Sequence, residues 1–281
     1  MPLTVLASPV YTRRSLEERA DVRDATAEEI AELEYYSALS ANVYCIGVIP
    51  GGTWVCPNCD KTNNLEIVDT FTTIVYDTNV LIARSDSEKT IYIVFRGSVS
   101  IQNWLADLTA TLVPYPDASL TAYVHTGFLA SYTEVQSKLM STVKSQMNAH
   151  SEYKVAVTGH SLGGATALLC ALDLHQQGVS NIELFTFGQP RVGNAAFAKY
   201  VVDTGIPYKR TVHERDTVPH VPSVVAGFLH AGMEFWDVPL SSKVQVCPNG
   251  IETADCSNSV ATLTSFVDHT TYFDMSTGIC L

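Results

Sequence analysis

No stretch of this 281-residue chain approaches the ~18 to 20 consecutive apolar residues that a helix needs to cross a bilayer, so membrane contact is expected only at the surface. Charge is scarce too. Charged side chains make up 16% of the chain against 46% hydrophobic ones, which leaves enough apolar surface to offset chain entropy and predicts a globular protein. Cations are the scarcer sign: 17 lysines and arginines face 29 aspartates and glutamates, and a net charge of −12 repels phosphate backbones. Nucleic acid is therefore excluded as an expected partner. Internal repeats and low-complexity tracts are absent, and an α/β chain of this length forms one unit with a substantial core. One domain over residues 25–281, monomeric, is the expectation.

Residues 1–10 are apolar but short and lack the basic start of a secretion signal. Residues 11–24 are charge-rich and include Arg13-Arg14, a pair that a dibasic-cleaving protease could recognise. Residues 1–24 are accordingly expected to be an N-terminal tail left from a propeptide.

Of the seven cysteines, Cys45, Cys56, Cys59, Cys247, Cys256 and Cys280 lie toward the two ends of the chain, while Cys170 sits alone in an apolar helical stretch. Three disulfides and one buried thiol fit that distribution and imply an oxidising, extracellular setting. Cys56-Pro57-Asn58-Cys59 could also be half of a zinc site or a redox pair, but no second Cys/His pair has metal-ligand spacing and no thioredoxin-like context surrounds it.

Thr26 and Glu29 form a capping box ahead of Ile30, Leu33, Tyr36 and Leu39, predicting a helix to about Val43. Residues 71–76 and 80–84 are β-rich and flank Asp77-Thr78-Asn79, a hairpin signal, and residues 89–95 read as a buried central strand. Helical periodicity follows over 128–149, then a strand at 153–158, a Gly-rich turn and an Ala/Leu-rich helix to about Gln177. Strands at 182–187 and 208–213 alternate with a helix at 195–202, and residues 233–247 add strands at the sheet edge. The alternation predicts a mostly parallel sheet covered on both faces.

Gly159-His160-Ser161-Leu162-Gly163 matches G-x-S-x-G, in which small flanking residues permit the sharp turn that lifts a serine hydroxyl above a sheet. Composition alone produces the pattern in roughly one chain of this length in ten, taking Gly and Ser each near ~7%. The strand before it and the helix after it raise it above a structural Gly-rich turn. A serine hydroxyl needs a histidine to take its proton and a carboxylate to orient that histidine. In chain order Ser, acid, His, the eligible bases are His213, His220, His230 and His269. Asp216, just past a predicted strand, is the leading acid, with Asp203 and Asp237 behind it. His220 follows Asp216 by four residues, where a surface or capping role is the plainer reading.

Leu-Ser-Ala-Asn-Val-Tyr-Cys45, Thr-Ile-Tyr-Ile-Val-Phe-Arg-Gly97, Val-Thr-Gly-His-Ser-Leu-Gly-Gly-Ala165, Gln-Pro-Arg-Val-Gly-Asn194 and Glu-Arg-Asp216 together resemble the filamentous-fungal triacylglycerol lipases of the Rhizomucor and Rhizopus type, the class 3 lipases. The resemblance runs from about Ala25 to Leu281. It implies an α/β-hydrolase-like fold, a central mixed but mostly parallel sheet flanked by helices, and a triad of Ser161, Asp216 and His269. It also implies disulfides Cys45 to Cys280, Cys56 to Cys59 and Cys247 to Cys256, with Cys170 free. It further places the oxyanion hole at the backbone N–H of Leu162 and at Ser98, which on its own would be an ordinary loop serine. Donors aimed at the developing oxyanion commonly contribute the largest catalytic effect.

In the segment after Ser98, Ile101, Trp104, Leu105 and Leu108 fall at helical spacing with Gln102, Asn103 and Asp107 around the turn, a short amphipathic helix. Such a stripe is usually a core helix; its place beside the oxyanion loop and its two-turn length favour a lid that opens at a lipid–water interface. The implied function is a secreted lipase acting on water-insoluble acylglycerols through an acyl-enzyme, with no metal or organic cofactor required. A feruloyl or other carboxylesterase on the same scaffold, which has a more polar segment there, is the alternative. A catalytically silent lipid-binding homologue is the non-enzymatic one. The pattern departs from the family at Gln102, where a basic residue is usual, and at Ala110, Thr217 and Thr270, where bulkier apolar residues are. Ala110, Val218 and Val267 are the candidate substrate-groove residues.

Overall fold

The protein is described by a computed structural model that covers residues 22–48, 54–62, 65–98, 110–116, 118 and 120–280. Its main strands, in chain order, are β1 (Arg23–Asp24), β2 (Glu66–Thr72), β3 (Asn79–Ser85), β4 (Thr90–Arg96), β5 (Lys154–His160), β6 (Ile182–Phe187), β7 (Tyr208–His213), β8 (Ala231–Asp237) and β9 (Val244–Ile251). The helices are α1 (Ala27–Asn42), α2 (Thr126–Ala149), α3 (Leu162–Gln176) and α4 (Ala195–Asp203). The strands form one nine-stranded sheet in the order β1-β9-β8-β7-β6-β5-β4-β3-β2. From β4 to β8 neighbours run parallel, while β2 and β3 on one side and β9 and β1 on the other are antiparallel. This is the α/β-hydrolase-like architecture expected.

Alternation along the strands sorts side chains between two cores. Ile91, Ile93 and Phe95 of β4 face a layer built with Phe128, Val135 and Leu139 of α2 and Leu168, Leu169 and Leu172 of α3. Tyr92 and Val94 face the opposite layer, where Leu33, Tyr36 and Leu39 of α1 pack. Helix α3 is buried along nearly its whole length, Cys170 included, and so reads as apolar on every side. Helix α1 starts at the expected capping box, with Thr26 Oγ1 accepting from Glu29 N and a Glu29 carboxylate oxygen accepting from Thr26 N.

Three boundaries differ from the sequence reading. Helix α2 begins two residues earlier than its apolar period, because the buried ring of His125 serves as N-cap, its Nδ1 accepting from Gly127 N and Phe128 N. The expected tail 1–24 ends before Arg23: Arg23 and Asp24 pair with Val246 and Gln245, Ala25 N donates to Val244 O, and Arg23 binds Glu29. Residues 1–21 lie outside the described residues. The first hairpin strand ends at Thr72, so Ile74, Val75 and Tyr76 form a turn and not the strand their β propensity suggests. Thr73 N donates to Thr78 O, Thr78 N to Thr73 Oγ1, and the Glu134 carboxylate accepts from Val75 N and Tyr76 N. With its donors bound this way, the turn outweighs local propensity.

Candidate active site

Strand β5 lies at the centre of the sheet and ends at His160, and the chain reverses into α3 at Ser161 with φ 61° and ψ −130°. That conformation is strained for a serine and is held by the Ser161 N to Phe187 O bond of 2.9 Å. A Cβ on Gly159 would sit 2.3 Å from Gly163 O and a Cβ on Gly163 would sit 2.3 Å from Phe95 O, so the close approach of α3 to β5 and to the end of β4 requires glycine at both flanking positions. Ser161 Oγ is buried and makes no hydrogen bond among the described residues.

Asp216 and His269 come from two loops zipped together. Ser265 N donates to Arg215 O at 2.7 Å, Thr217 N to Ser265 O, and Arg215 N to the Asp268 carboxylate at 3.0 Å. His269 Nδ1 lies 2.7 Å from Asp216 Oδ2, and both side chains are essentially inaccessible. A carboxylate accepts, so Nδ1 carries the proton and Nε2 presents its lone pair; that nitrogen has no partner among the described residues. Asp216 also accepts from Tyr272 OH at 2.6 Å and from Val218 N at 2.8 Å. Burial and the neighbouring Asp216 charge push the Tyr272 phenol well above its ordinary pKa, so it acts as a donor throughout the working pH range.

A second chain of hydrogen bonds joins the end of β4 to the His269 backbone. Gly97 N donates to Tyr44 OH (3.0 Å), Tyr44 OH lies 2.9 Å from His160 Nδ1, and His160 Nε2 lies 2.9 Å from His269 O. The carbonyl can only accept, so His160 carries its proton on Nε2 and accepts from Tyr44. Burial drives the His160 pKa well below its ordinary value, keeping it neutral. Ser98 is half-buried directly after this anchored Gly97, and Leu162 opens α3, where the first N–H groups have no intrahelical partner.

The other candidates are engaged elsewhere. His213 donates to Asp268 O and faces Asp237, His230 donates to Pro219 O at 2.7 Å, and Asp203 pairs with Lys199 on the surface. His220 is the exception: it is half-buried, and neither ring nitrogen has a partner among the described residues, so it is neither a surface group nor a cap. Among the groove candidates, Ala110 is exposed and Val267 is 76% exposed, whereas Val218 is fully buried and contributes its backbone N–H to Asp216. Ile101, Trp104, Leu105 and Leu108 lie outside the described residues. Cys45–Cys280, Cys56–Cys59 and Cys247–Cys256 are bonded, and Cys170 is a buried free thiol. No group of three or more His, Cys, Asp or Glu among the described residues is placed to hold a metal ion.

The family profile described as Lipase (class 3) matches residues 92–226. A lipase from Rhizomucor miehei is 56% identical over 285 residues, spanning 100% of this chain and 78% of that protein. The chain belongs to the class 3 lipase family. A solved structure of the Rhizomucor miehei triacylglyceride lipase superposes with a TM-score of 0.89 at 58% identity, covering 92% of this chain and 100% of that one. A secreted mono- and diacylglycerol lipase from Fusarium solani is 32% identical, covering 92% of this chain and 80% of its own.

Within this lipase family member, several site residues escaped the sequence reading. Tyr272, Tyr44 and His160 had no motif to mark their contacts, since their partners lie between 53 and 116 residues away. Gly188, at φ +56°, is a further one: a Cβ there would sit 2.8 Å from both Asp216 Oδ2 and His269 Cε1. Its place right after β6, on the edge of the sheet that carries the elbow, is the signal that could have flagged it. Arg191, quoted within Gln-Pro-Arg-Val-Gly-Asn194, ties down the loop after Asp216 by donating to His220 O and Pro222 O while pairing with Glu252.

Proposed function

We propose that this chain is a secreted triacylglycerol lipase in which Ser161 attacks the ester carbonyl, His269 transfers the proton and Asp216 orients His269. The observation that carries the assignment is the buried His269 Nδ1 to Asp216 bond of 2.7 Å, which leaves His269 Nε2 and Ser161 Oγ as two buried polar atoms beside the elbow with no partner among the described residues. His269 Nε2 takes the hydroxyl proton as Ser161 Oγ bonds to the carbonyl carbon. The negative charge then gathers on the former carbonyl oxygen, toward the N–H of Leu162 and the Ser98 loop. Collapse expels the alcohol, which takes the proton from His269, and water repeats the sequence on the acyl-enzyme to release the fatty acid. The serine, base and oxyanion donors suffice without a cofactor. Catalytic contacts often tighten only with substrate bound, so the open Ser161 to His269 contact is compatible with this role.

The acylglycerol substrate is supported by the named activities of the similar proteins and by the amphipathic spacing of Ile101, Trp104, Leu105 and Leu108, for which lid opening at the lipid–water interface is our reading. Secretion is supported by the secreted relative and by the three disulfides. Hydrolysis of emulsified triolein should greatly exceed that of methyl ferulate or a soluble short ester, and an alkyl phosphonate should label Ser161 stoichiometrically. The reverse ranking points to a carboxylesterase, a preference for monoolein to a partial-glyceride lipase, and failure to label to a silent lipid-binding protein.

A further inference from the structure

We propose that the tip of the β2–β3 hairpin, Ile74, Val75 and Tyr76, is a fixed docking surface for a neutral lipid–water interface, a different stretch of the sequence from the amphipathic segment around Trp104. The inference rests on the reading of the substrate as a lipid and adds a second point of contact to it.

Three consecutive apolar side chains stand in water at this turn: Ile74 is 98% exposed, Val75 75% and Tyr76 45%. Single exposed apolar residues are ordinary, but a contiguous run at a protruding tip is a contact site awaiting a partner. Its position says which partner. The register pairs Thr72 with Asn79 and Asn79 with Arg96, so the tip projects from the end of β4 that leads into Gly97 and Ser98. Strand β5, parallel to β4, delivers Ser161 at the same edge, with Phe95 opposite Gly159. On the far flank of the site, Phe266 and Val267 are 47% and 76% exposed just before His269. An interface that presents an ester to Ser161 therefore meets apolar side chains on both flanks.

The turn is also built to leave water. Backbone donors carried into an apolar medium are costly unless bonded within the protein. Here Val75 N and Tyr76 N donate to the two Glu134 oxygens at 3.0 and 3.1 Å, Thr73 N to Thr78 O, and Thr78 N to Thr73 Oγ1. Thr78 Oγ1 donates to Ser131 O, bracing the tip on α2, so docking requires little further ordering of the chain. Among the described residues the charges at its base are the Glu134 carboxylate, the Asp77–Arg96 pair and Lys138, which pairs with Asp69 over the Phe71 ring, so each cation there is matched by a carboxylate, and the chain as a whole carries −12. That balance fits a neutral surface and opposes an anionic one.

The test uses the full chain and its Ile74→Ser/Val75→Ser double variant, both sites being exposed enough that folding is not at stake. Adsorption to phosphatidylcholine-coated triolein droplets should fall about tenfold per residue, while kcat/KM on a soluble short-chain ester stays unchanged. A polarity-sensitive dye on Ile74→Cys should shift to the blue when phosphatidylcholine vesicles are added; Cys170 is buried and does not compete for label. Unaltered adsorption of the double variant, an unshifted dye, or tip-dependent binding that favours phosphatidylglycerol vesicles would overturn the proposal. A parent that adsorbs through the tip but leaves triolein intact keeps the docking surface and removes the lipase reading. A lipolytic parent whose double variant adsorbs normally does the reverse.

Discussion

The two halves of the site are held in different ways. Ser161 and the Leu162 N–H come from one short segment, set by the backbone where β5 meets α3 and by glycines that let the two cross. Asp216 and His269 lie 53 residues apart and are aligned by side-chain hydrogen bonds, with Asp216 accepting from His269, Tyr272 and Val218. The first half depends on shape and tolerates no added atoms. The second depends on polar partners, and the loss of one should retune it without dismantling it.

The largest expected effect removes the chemistry from the first half. Ser161→Ala should lower kcat on a soluble ester by about 10⁶-fold while leaving the fold intact. Asp216→Asn should cost about 10⁴-fold, because the amide no longer holds the His269 proton on Nδ1. If Asp216→Asn instead cost less than tenfold, Asp216 would not be the group that orients His269. Gly188→Ala probes the joint between the halves. The added Cβ would press on Asp216 and His269 at 2.8 Å, so kcat should fall about 100-fold. Gly178→Ala is the control, since it also has positive φ but meets nothing within 4 Å among the described residues, and activity should not change.

Backbone strain gives a subtler contrast. Ser161 holds φ 61° and ψ −130°, a conformation that alanine shares uneasily and glycine accepts freely. Ser161→Gly should therefore melt higher than Ser161→Ala by about 1 kcal/mol of stability, although both are inactive. Equal melting temperatures would mean that the elbow stores no strain.

The same division explains what could be read from the sequence. The elbow, the strand and helix alternation and the capping box are local, and each was legible in a window of a few residues. Residue order left four histidines for the base, and only the family resemblance singled out His269, because pairing it with Asp216 is a long-range event. Tyr272 was invisible for the same reason, since nothing near it in the chain hints at the carboxylate it faces, and Gly188 was marked only by its place right after β6. Ile74, Val75 and Tyr76 were misread because β propensity is a local signal, while the Glu134 carboxylate that captures their turn arrives from α2.

The smallest effect concerns pH, and it tests whether the two halves fail together. A buried neutral histidine stands behind each: His160 beside the elbow and His230 beneath the Asp216 loop, where it donates to Pro219 O. Burial drives both well below the ordinary histidine value of 6.5, with the neighbouring His269 adding to this at His160 and Arg210 at His230. As pH falls below about 6.5, the unfolded chain binds protons that the folded chain refuses, so stability present above that pH is progressively lost. Each histidine contributes a slope of roughly 1.4 kcal/mol per pH unit until its folded pKa is reached. Glu252 behaves separately: burial alone would raise its pKa, but the Arg191 hydrogen bond holds it far below the ordinary 4.5, so its contribution begins to fade only below about that pH. Denaturant unfolding of His160→Gln and His230→Gln between pH 7.5 and 5 should show each variant losing roughly 1.4 kcal/mol per pH unit of the parent's slope, while His220, which burial also holds below its ordinary value, keeps its own share. If one variant flattened the whole curve, the two halves would share a single acid-sensitive step, and the division between them would not extend to stability.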